Sequence, residues 1–337
     1  MSSHGAAGIY RRGARGRAVI TLAVGLSLLA APGASAAVPT QQGLFVQVGS
    51  LGAYSPAQVQ AWMARSCKGR DLVLQDVAGE DGRLFQAYLD VITPYAPGGA
   101  RACFNRAFIG TVDLAWRGGG SKYVEGVQDP SFSQRYLSLS SAVARAFVAR
   151  YPRLRVDWYL TYEADLNQLY YPSVQQAYKT MLSTEMRNLR VIRPGAVMWS
   201  PTFAYPYAAY SGNTVGMTQL RANLLNLFTT LNRSAGGLQF LDLQDFVAGS
   251  GCQPSWNRMT PQDAVGWVNF LAGLQQIPTV ELNVEQYAVD CATGTNTAGN
   301  PVELAARTSY YRSRNILLGP AFEIRYWLQN NGLSLAA

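Results

Sequence analysis

The chain has 337 residues, 48% apolar and only 14% charged, with 28 Lys+Arg, 20 Asp+Glu, four Cys and one His. Low charge with ordinary hydrophobicity excludes a disordered chain, and the length suits one large α/β domain or two smaller ones. The single histidine is His4, so a Ser-His-Asp triad, a His-ligated zinc or a Cys-His pair would have no histidine in the body of the chain.

Residues 1–36 read as an export signal. Arg11, Arg12, Arg15 and Arg17 form a positive segment, an apolar run spans 18–31, and Ala34-Ser35-Ala36 supplies a small-residue cleavage site. That run is shorter than the roughly 20 residues a membrane helix needs, and no later segment is apolar enough to span a bilayer. The remainder, 37–337, is expected to be one secreted, monomeric domain. Cleavage would remove four of the 28 basic residues and leave 24 against 20 acids, a net charge of +4, together with the only histidine. So small an excess, scattered and mostly Arg, argues against a nucleic-acid partner.

Short apolar runs then alternate with amphipathic stretches. The expected strands are 44–48, 71–77, one within 102–114, 154–160, 196–200, 239–245, 279–285 and 320–325. Helical periodicity falls near 56–66, 82–93, 133–150, 173–192, 217–232, 261–275 and 301–314. Ser55-Pro56 and Thr260-Pro261 look like helix starts. Pro194-Gly195 and Ile277-Pro278 look like exits into strands. Strict alternation implies parallel strands with right-handed crossovers, and eight of them fit a (β/α)8 TIM barrel. A doubly wound sheet is the alternative, but no Gly-rich phosphate turn follows the first strand.

Four cysteines in an exported chain suggest two disulfides. In a barrel, Cys67 and Cys103 both fall at the bottom face, while Cys252 and Cys291 follow neighbouring strands at the top. The predicted pairs are therefore Cys67–Cys103 and Cys252–Cys291, since a cross pair would have to span the barrel's height. No C-x-x-C supports a zinc site.

Acids gather at the expected strand ends: Asp76, Asp113, Glu163, Asp165, Asp245 and Glu285, with Glu323 in the eighth strand. That is the face where barrels build active sites, and burying a carboxylate is costly without a reason. Glycoside hydrolysis supplies one. It needs two carboxyl groups across the scissile bond and neither histidine, metal nor cofactor. Strands four and seven lie on opposite sides of an eight-stranded barrel, roughly facing each other, so Glu163 and Glu285 are the candidate catalytic pair. Alternation in 279–285 puts Glu281, Asn283 and Glu285 on one face, Val280, Leu282 and Val284 on the other. Gln244 and Asp245 would position the sugar or tune Glu163. Arg325 is expected to pair with one of the acids, and with Asn283 to orient Glu285. Of the aromatics near strand ends, Tyr162, Trp199 and Tyr287 are the expected sugar-lining residues, and the Tyr-, Pro- and Gly-rich segment 203–215 would set specificity.

WYLTYEADL (158–166), WSPTF (199–203), FLDLQDFVAGSG (240–251) and LNVEQY (282–287) resemble the ordered blocks of the "domain of unknown function 4434" family, whose members are similar to TIM-barrel glycoside hydrolases. The resemblance runs over most of 37–337 and is strong only in these blocks. It implies that Glu163 is the acid/base and Glu285 the nucleophile of a retaining enzyme, with Gln244-Asp245 and Asn283 in the site. The sequence departs from the related retaining enzymes at Tyr162, where they often carry Asn. The expectation is an exported glycoside hydrolase acting on a polysaccharide or glycoconjugate. The rivals are a non-catalytic carbohydrate-binding barrel and a carboxylate-only metal-dependent hydrolase, although no D-x-D-x-D spacing supports the latter.

Overall fold

The structure is a computed structural model that describes residues 43–67, 71–330, 332 and 335. The export segment 1–36, with His4, lies outside the described residues. Eight parallel strands run β1 (Gly43–Val46), β2 (Asp71–Leu74), β3 (Arg106–Ile109), β4 (Asp157–Leu160), β5 (Val197–Trp199), β6 (Phe240–Gln244), β7 (Thr279–Asn283) and β8 (Ala321–Phe322), in the order β8-β1-β2-β3-β4-β5-β6-β7. The seam between β7 and β8 is closed by a bridge from Leu282 to Leu318, with Gly319 N–H donating to Leu282 O at 3.0 Å. Gly319 suits this seam because a Cβ there would lie 2.0 Å from the Asp242 carboxylate. The chain is a (β/α)8 barrel.

The helices are α1 (Pro56–Arg65), α2 (Gln86–Ile92), α3 (Pro130–Arg150), α4 (Pro172–Ile192), the short α5 (Tyr207–Ser211), α6 (Thr214–Ala235), α7 (Pro261–Ala272), α8 (Pro301–Ser313) and α9 (Ile324–Asn330). Five of them (α1, α3, α4, α7 and α8) begin with proline at the first position, where the missing N–H costs nothing. Ser55 with Gln58 and Thr260 with Asp263 close reciprocal capping boxes. Both helix starts expected from Ser-Pro and Thr-Pro are therefore real.

Strand alternation sorts the core into two layers. Outward residues such as Leu72, Leu74, Trp158, Leu160, Leu241 and Leu282 pack against the helices. Phe45, Val73, Phe108, Tyr159 and Met198 fill the barrel interior, with Phe240 and Phe322 against them. At the floor, Arg106 Nε donates to Asp71 at 2.8 Å, and its guanidinium lies 4.1 Å from the Phe240 ring.

Two features differ from expectation. The eighth strand is short: it ends at Phe322, a cis peptide joins Phe322 to Glu323, and α9 begins at Ile324. Arg325 therefore stands on a helix, not on a strand face. An antiparallel hairpin, Tyr287–Val289 with Asn296–Ala298, projects after β7. The two disulfides are Cys67–Cys103 and Cys252–Cys291, with Cα separations of 5.6 and 5.2 Å. Among the described residues no helix is long and apolar enough to cross a membrane.

Candidate active site

The C-terminal ends of β2, β3 and β4 are tied together before any acid is presented. Thr161 Oγ1 donates to Gln75 O at 3.1 Å and accepts Thr111 N–H at 2.9 Å. Two residues on, Glu163 sits half-buried at the mouth. Gln75 Nε2 donates to its Oε1 at 2.9 Å, and Gln244 is a second side-chain partner. Burial pushes the Glu163 carboxyl up to about 7, Asp113 adds to the rise, and Gln244, Lys122 and Gln75 offset part of it. Asp113 is ion-paired with Lys122.

Glu285 is held differently. It is 1% exposed. Its Oε2 accepts backbone N–H from Ala248 at 3.1 Å and Gly249 at 3.0 Å, and its Oε1 accepts Tyr287 O–H at 2.9 Å. Burial raises its pKa and Asp245 adds to the rise; Gly249, Tyr287 and Arg307 act against it. Tyr287 also lies in the field of Glu163. A cavity of about 540 Å³ opens beside this clamp, lined among others by Ala248, Tyr287, Asn300, Glu303, Arg307 and Tyr310. None of the hydrogen-bond partners of Glu163 lines it.

Two more mouth acids are shielded from water, Asp76 half-buried and Glu323 fully buried. Asp76 accepts Gly49 N–H at 3.2 Å, and burial pushes it up to about 7, with Asp113 adding. Glu323 pairs with Arg325 at 2.6 Å, yet burial outweighs that cation and lifts it to about 7. Among the described residues no group of three His, Cys, Asp or Glu is placed to hold a metal ion.

Several expected site residues do other work. Arg325 pairs with Glu323, and it neither touches Glu285 nor holds its partner strongly ionised. Asn283 donates to Asp242 at 3.1 Å and accepts Phe322 N–H at 3.1 Å, so it pins β8 and does not orient Glu285. Asp245 shares the outward parity of Leu241 and Leu243. It accepts Tyr311 O–H at 3.0 Å, pairs with Arg307 at 3.3 Å, and accepts the Glu285 backbone N–H at 3.3 Å. It supports Glu285 from behind and does not face a sugar. Gln244 does reach Glu163 and also donates to Ser200 O at 2.9 Å.

Tyr162 and Trp199 are core residues, not lining. Tyr162 is 1% exposed, donates to Lys122 O, and packs edge-on against Tyr136, Phe132 and Tyr123. Trp199 is fully buried and donates to Tyr162 O at 2.9 Å. In segment 203–215, Phe203 stacks on Trp267 at 3.8 Å and Tyr207 and Tyr210 pack around the same indole, so part of that loop is core. Sequence reasoning missed Gln75, the Ala248 and Gly249 amides, Arg307 and Tyr311. The i, i+4 spacing of Arg307 and Tyr311 on a helical stretch was the available signal for the last pair.

No family model matches the chain, and no curated protein matches it. Solved structures do resemble it in fold. A candidate alpha-L-fucosidase from Bacteroides thetaiotaomicron VPI-5482 superposes with a TM-score of 0.55 at 10% identity, covering 88% of this chain and 96% of its own. An intracellular xylanase from Thermoanaerobacterium saccharolyticum JW/SL-YS485 gives 0.44 at 12% identity, covering 83% and 84%. At these identities the likeness concerns the barrel.

Proposed function

We propose that the chain is an exported glycoside hydrolase acting on a polysaccharide or glycoconjugate, with Glu163 as acid/base and Glu285 as the second carboxylate. The observation that carries the reading is Glu163: a half-buried carboxyl at the mouth end of β4, held by Gln75 and Gln244 and pushed up to about 7. Such an acid keeps its proton near neutral pH and can give it to a leaving oxygen. Glu285 is the second carboxyl; burial pushes it up to about 7, and its hydrogen-bond donors and Arg307 offset part of that rise. Support also comes from the four blocks that resemble the "domain of unknown function 4434" family, and from the crystal structure described as a candidate alpha-L-fucosidase. Two disulfides and the Arg-led apolar start suit an extracellular setting.

The test is a screen of the protein on cell-wall glycans, with Glu163→Gln and Glu285→Gln as controls. Loss of about 10²- to 10⁴-fold in each variant is expected, and full activity in both overturns the assignment. The anomer formed first, read by NMR, reports the mechanism: retention corresponds to carboxyl groups about 5–5.5 Å apart, inversion to about 6.5–9.5 Å.

One observation favours a second reading, a non-catalytic carbohydrate-binding barrel. Glu285 is almost wholly enclosed and three of its acceptor sites are filled. That reading expects glycan binding, measured calorimetrically, to survive both glutamine variants while no turnover is detected in any of the proteins.

A further inference from the structure

We infer that the Cys252–Cys291 crosslink is a positioning element for Glu285, fastening together the two segments that donate to its carboxylate. The inference rests on the hydrolase reading for its kinetic consequences. The structural part stands alone.

The argument starts at the end of β6. Phe246 has φ of +51°, a left-handed conformation that a bulky residue adopts only when its surroundings hold it there. That turn folds 247–249 back, so successive N–H groups point at anions: Val247 towards Asp245 at 3.5 Å, then Ala248 and Gly249 towards Glu285 Oε2. Successive backbone N–H groups in such a turn form an anion-binding concavity. Gly249 is required here, because a Cβ would lie 2.6 Å from the Phe246 ring and 3.2 Å from Tyr287 Oη. The third donor, Tyr287, begins the hairpin on the other side.

The loop and the hairpin contact the same carboxylate from separate stretches of chain, and Cys252 and Cys291 link them. Cys252 follows Gly249 by three residues, and Cys291 follows Tyr287 by four. The support behind the carboxylate is also complete. Asp245 accepts the Glu285 N–H, Tyr311 and Arg307 hold Asp245, and Arg307 donates to Glu285 O. A carboxylate has about four acceptor sites. Two donors occupy Oε2 and one occupies Oε1, so the remaining lone pair is on Oε1.

The charged and titratable groups facing Glu285 are Asp245 from β6, Arg307 and Tyr311 from α8 and Tyr287 from the hairpin. Cutting the crosslink alters the charge of none of these groups. What changes is the fixity of the donors, and donors to the charged form lower a carboxyl's pKa.

The experiment compares Cys252→Ser/Cys291→Ser with Cys67→Ser/Cys103→Ser in the full protein. Amide exchange at Ala248 and Gly249, and a carboxyl ¹³C titration of Glu285, are read in both. The first variant is expected to exchange at least about tenfold faster at both amides and to titrate Glu285 at higher pH. The second is expected to match wild type in both. With a substrate in hand, the first variant should lower kcat with KM little changed and move the acidic limb of its pH profile upward. Unchanged exchange and an unchanged Glu285 titration in the first variant overturn the inference. Should it not fold, mild reduction of the native protein replaces it, since Cys252 and Cys291 are exposed and Cys67 and Cys103 half-buried. If Glu163→Gln and Glu285→Gln retain full activity, the hydrolase reading falls, and the exchange and titration data still decide the clamp.

Discussion

At the floor of the barrel Asp71 meets Arg106, with Glu281 and Asp157 in the same guanidinium's field and two phenylalanine rings around it. At the mouth Glu163 has two amide partners and no cation of its own, while Glu285 is held chiefly by backbone N–H and a tyrosine. Asp71 at the floor meets a guanidinium directly. The two glutamates at the mouth are held chiefly by neutral dipoles, and burial leaves both able to take or lose a proton near pH 7. The disulfides repeat the contrast. They span 36 and 39 residues, so chain entropy gives each about 4 kcal/mol. One joins helix end to strand start at the bottom, and the other joins the two segments that grip Glu285.

The largest effect that sharpens this contrast is catalytic. Glu163→Gln and Glu285→Gln should each lose about 10²- to 10⁴-fold in turnover, whereas Asp71→Asn should keep its turnover per folded molecule. A floor variant as inactive as the mouth variants would break the comparison. Next in size, either disulfide removal should lower the unfolding free energy by about 4 kcal/mol in denaturant titrations, and only the top pair should move the Glu285 titration. A smaller loss, about 2–3 kcal/mol, is expected for Asp71→Asn, because Arg106 keeps other acids in its field.

A further prediction is a pH dependence. Asp76, Glu163 and Glu323 at the mouth, and Glu185 between α3 and α4, are pushed up to about 7 chiefly by burial. Each is near 4 when unfolded, so the folded chain binds these protons more tightly. Their stabilising contribution is complete below about pH 4 and is lost as pH rises through about 7. Thermal midpoints should be higher at pH 5 than at pH 8. Glu185 belongs to neither end; its Oε1 accepts Tyr136 and Ser140 hydroxyls at 2.8 and 2.9 Å. Glu185→Gln should recover about 2 kcal/mol at pH 8 and little at pH 5. The same variant destabilising the protein equally at both pH values would show that Glu185 is ionised in the fold.

The barrel was legible because its signals are local. Alternating apolar runs, Pro-led helices and the top-or-bottom placement of four cysteines needed no packing information. Within the site, the errors at Tyr162 and Trp199 share one cause. Proximity to a strand end was read as exposure to the mouth, whereas Tyr162 continues the outward parity of Trp158 and Leu160, and Trp199 that of Val197. Asp245 was open to the same correction through Leu241 and Leu243. Other features were beyond any local pattern. Gln75 reaches Glu163 across 88 residues. The left-handed turn at Phe246 has no glycine to announce it.

The sequence by itself determined the order of the barrel strands and of most helices between them, the disulfide partners, and the position of Glu163 and Glu285 just past β4 and β7, because each follows from short-range periodicity and strand counting. Tertiary structure alone decided what holds each acid. Whether a buried carboxylate meets a guanidinium, an amide or a pair of backbone N–H groups depends on segments far apart in sequence arriving within about 3 Å, and that contact sets its proton affinity.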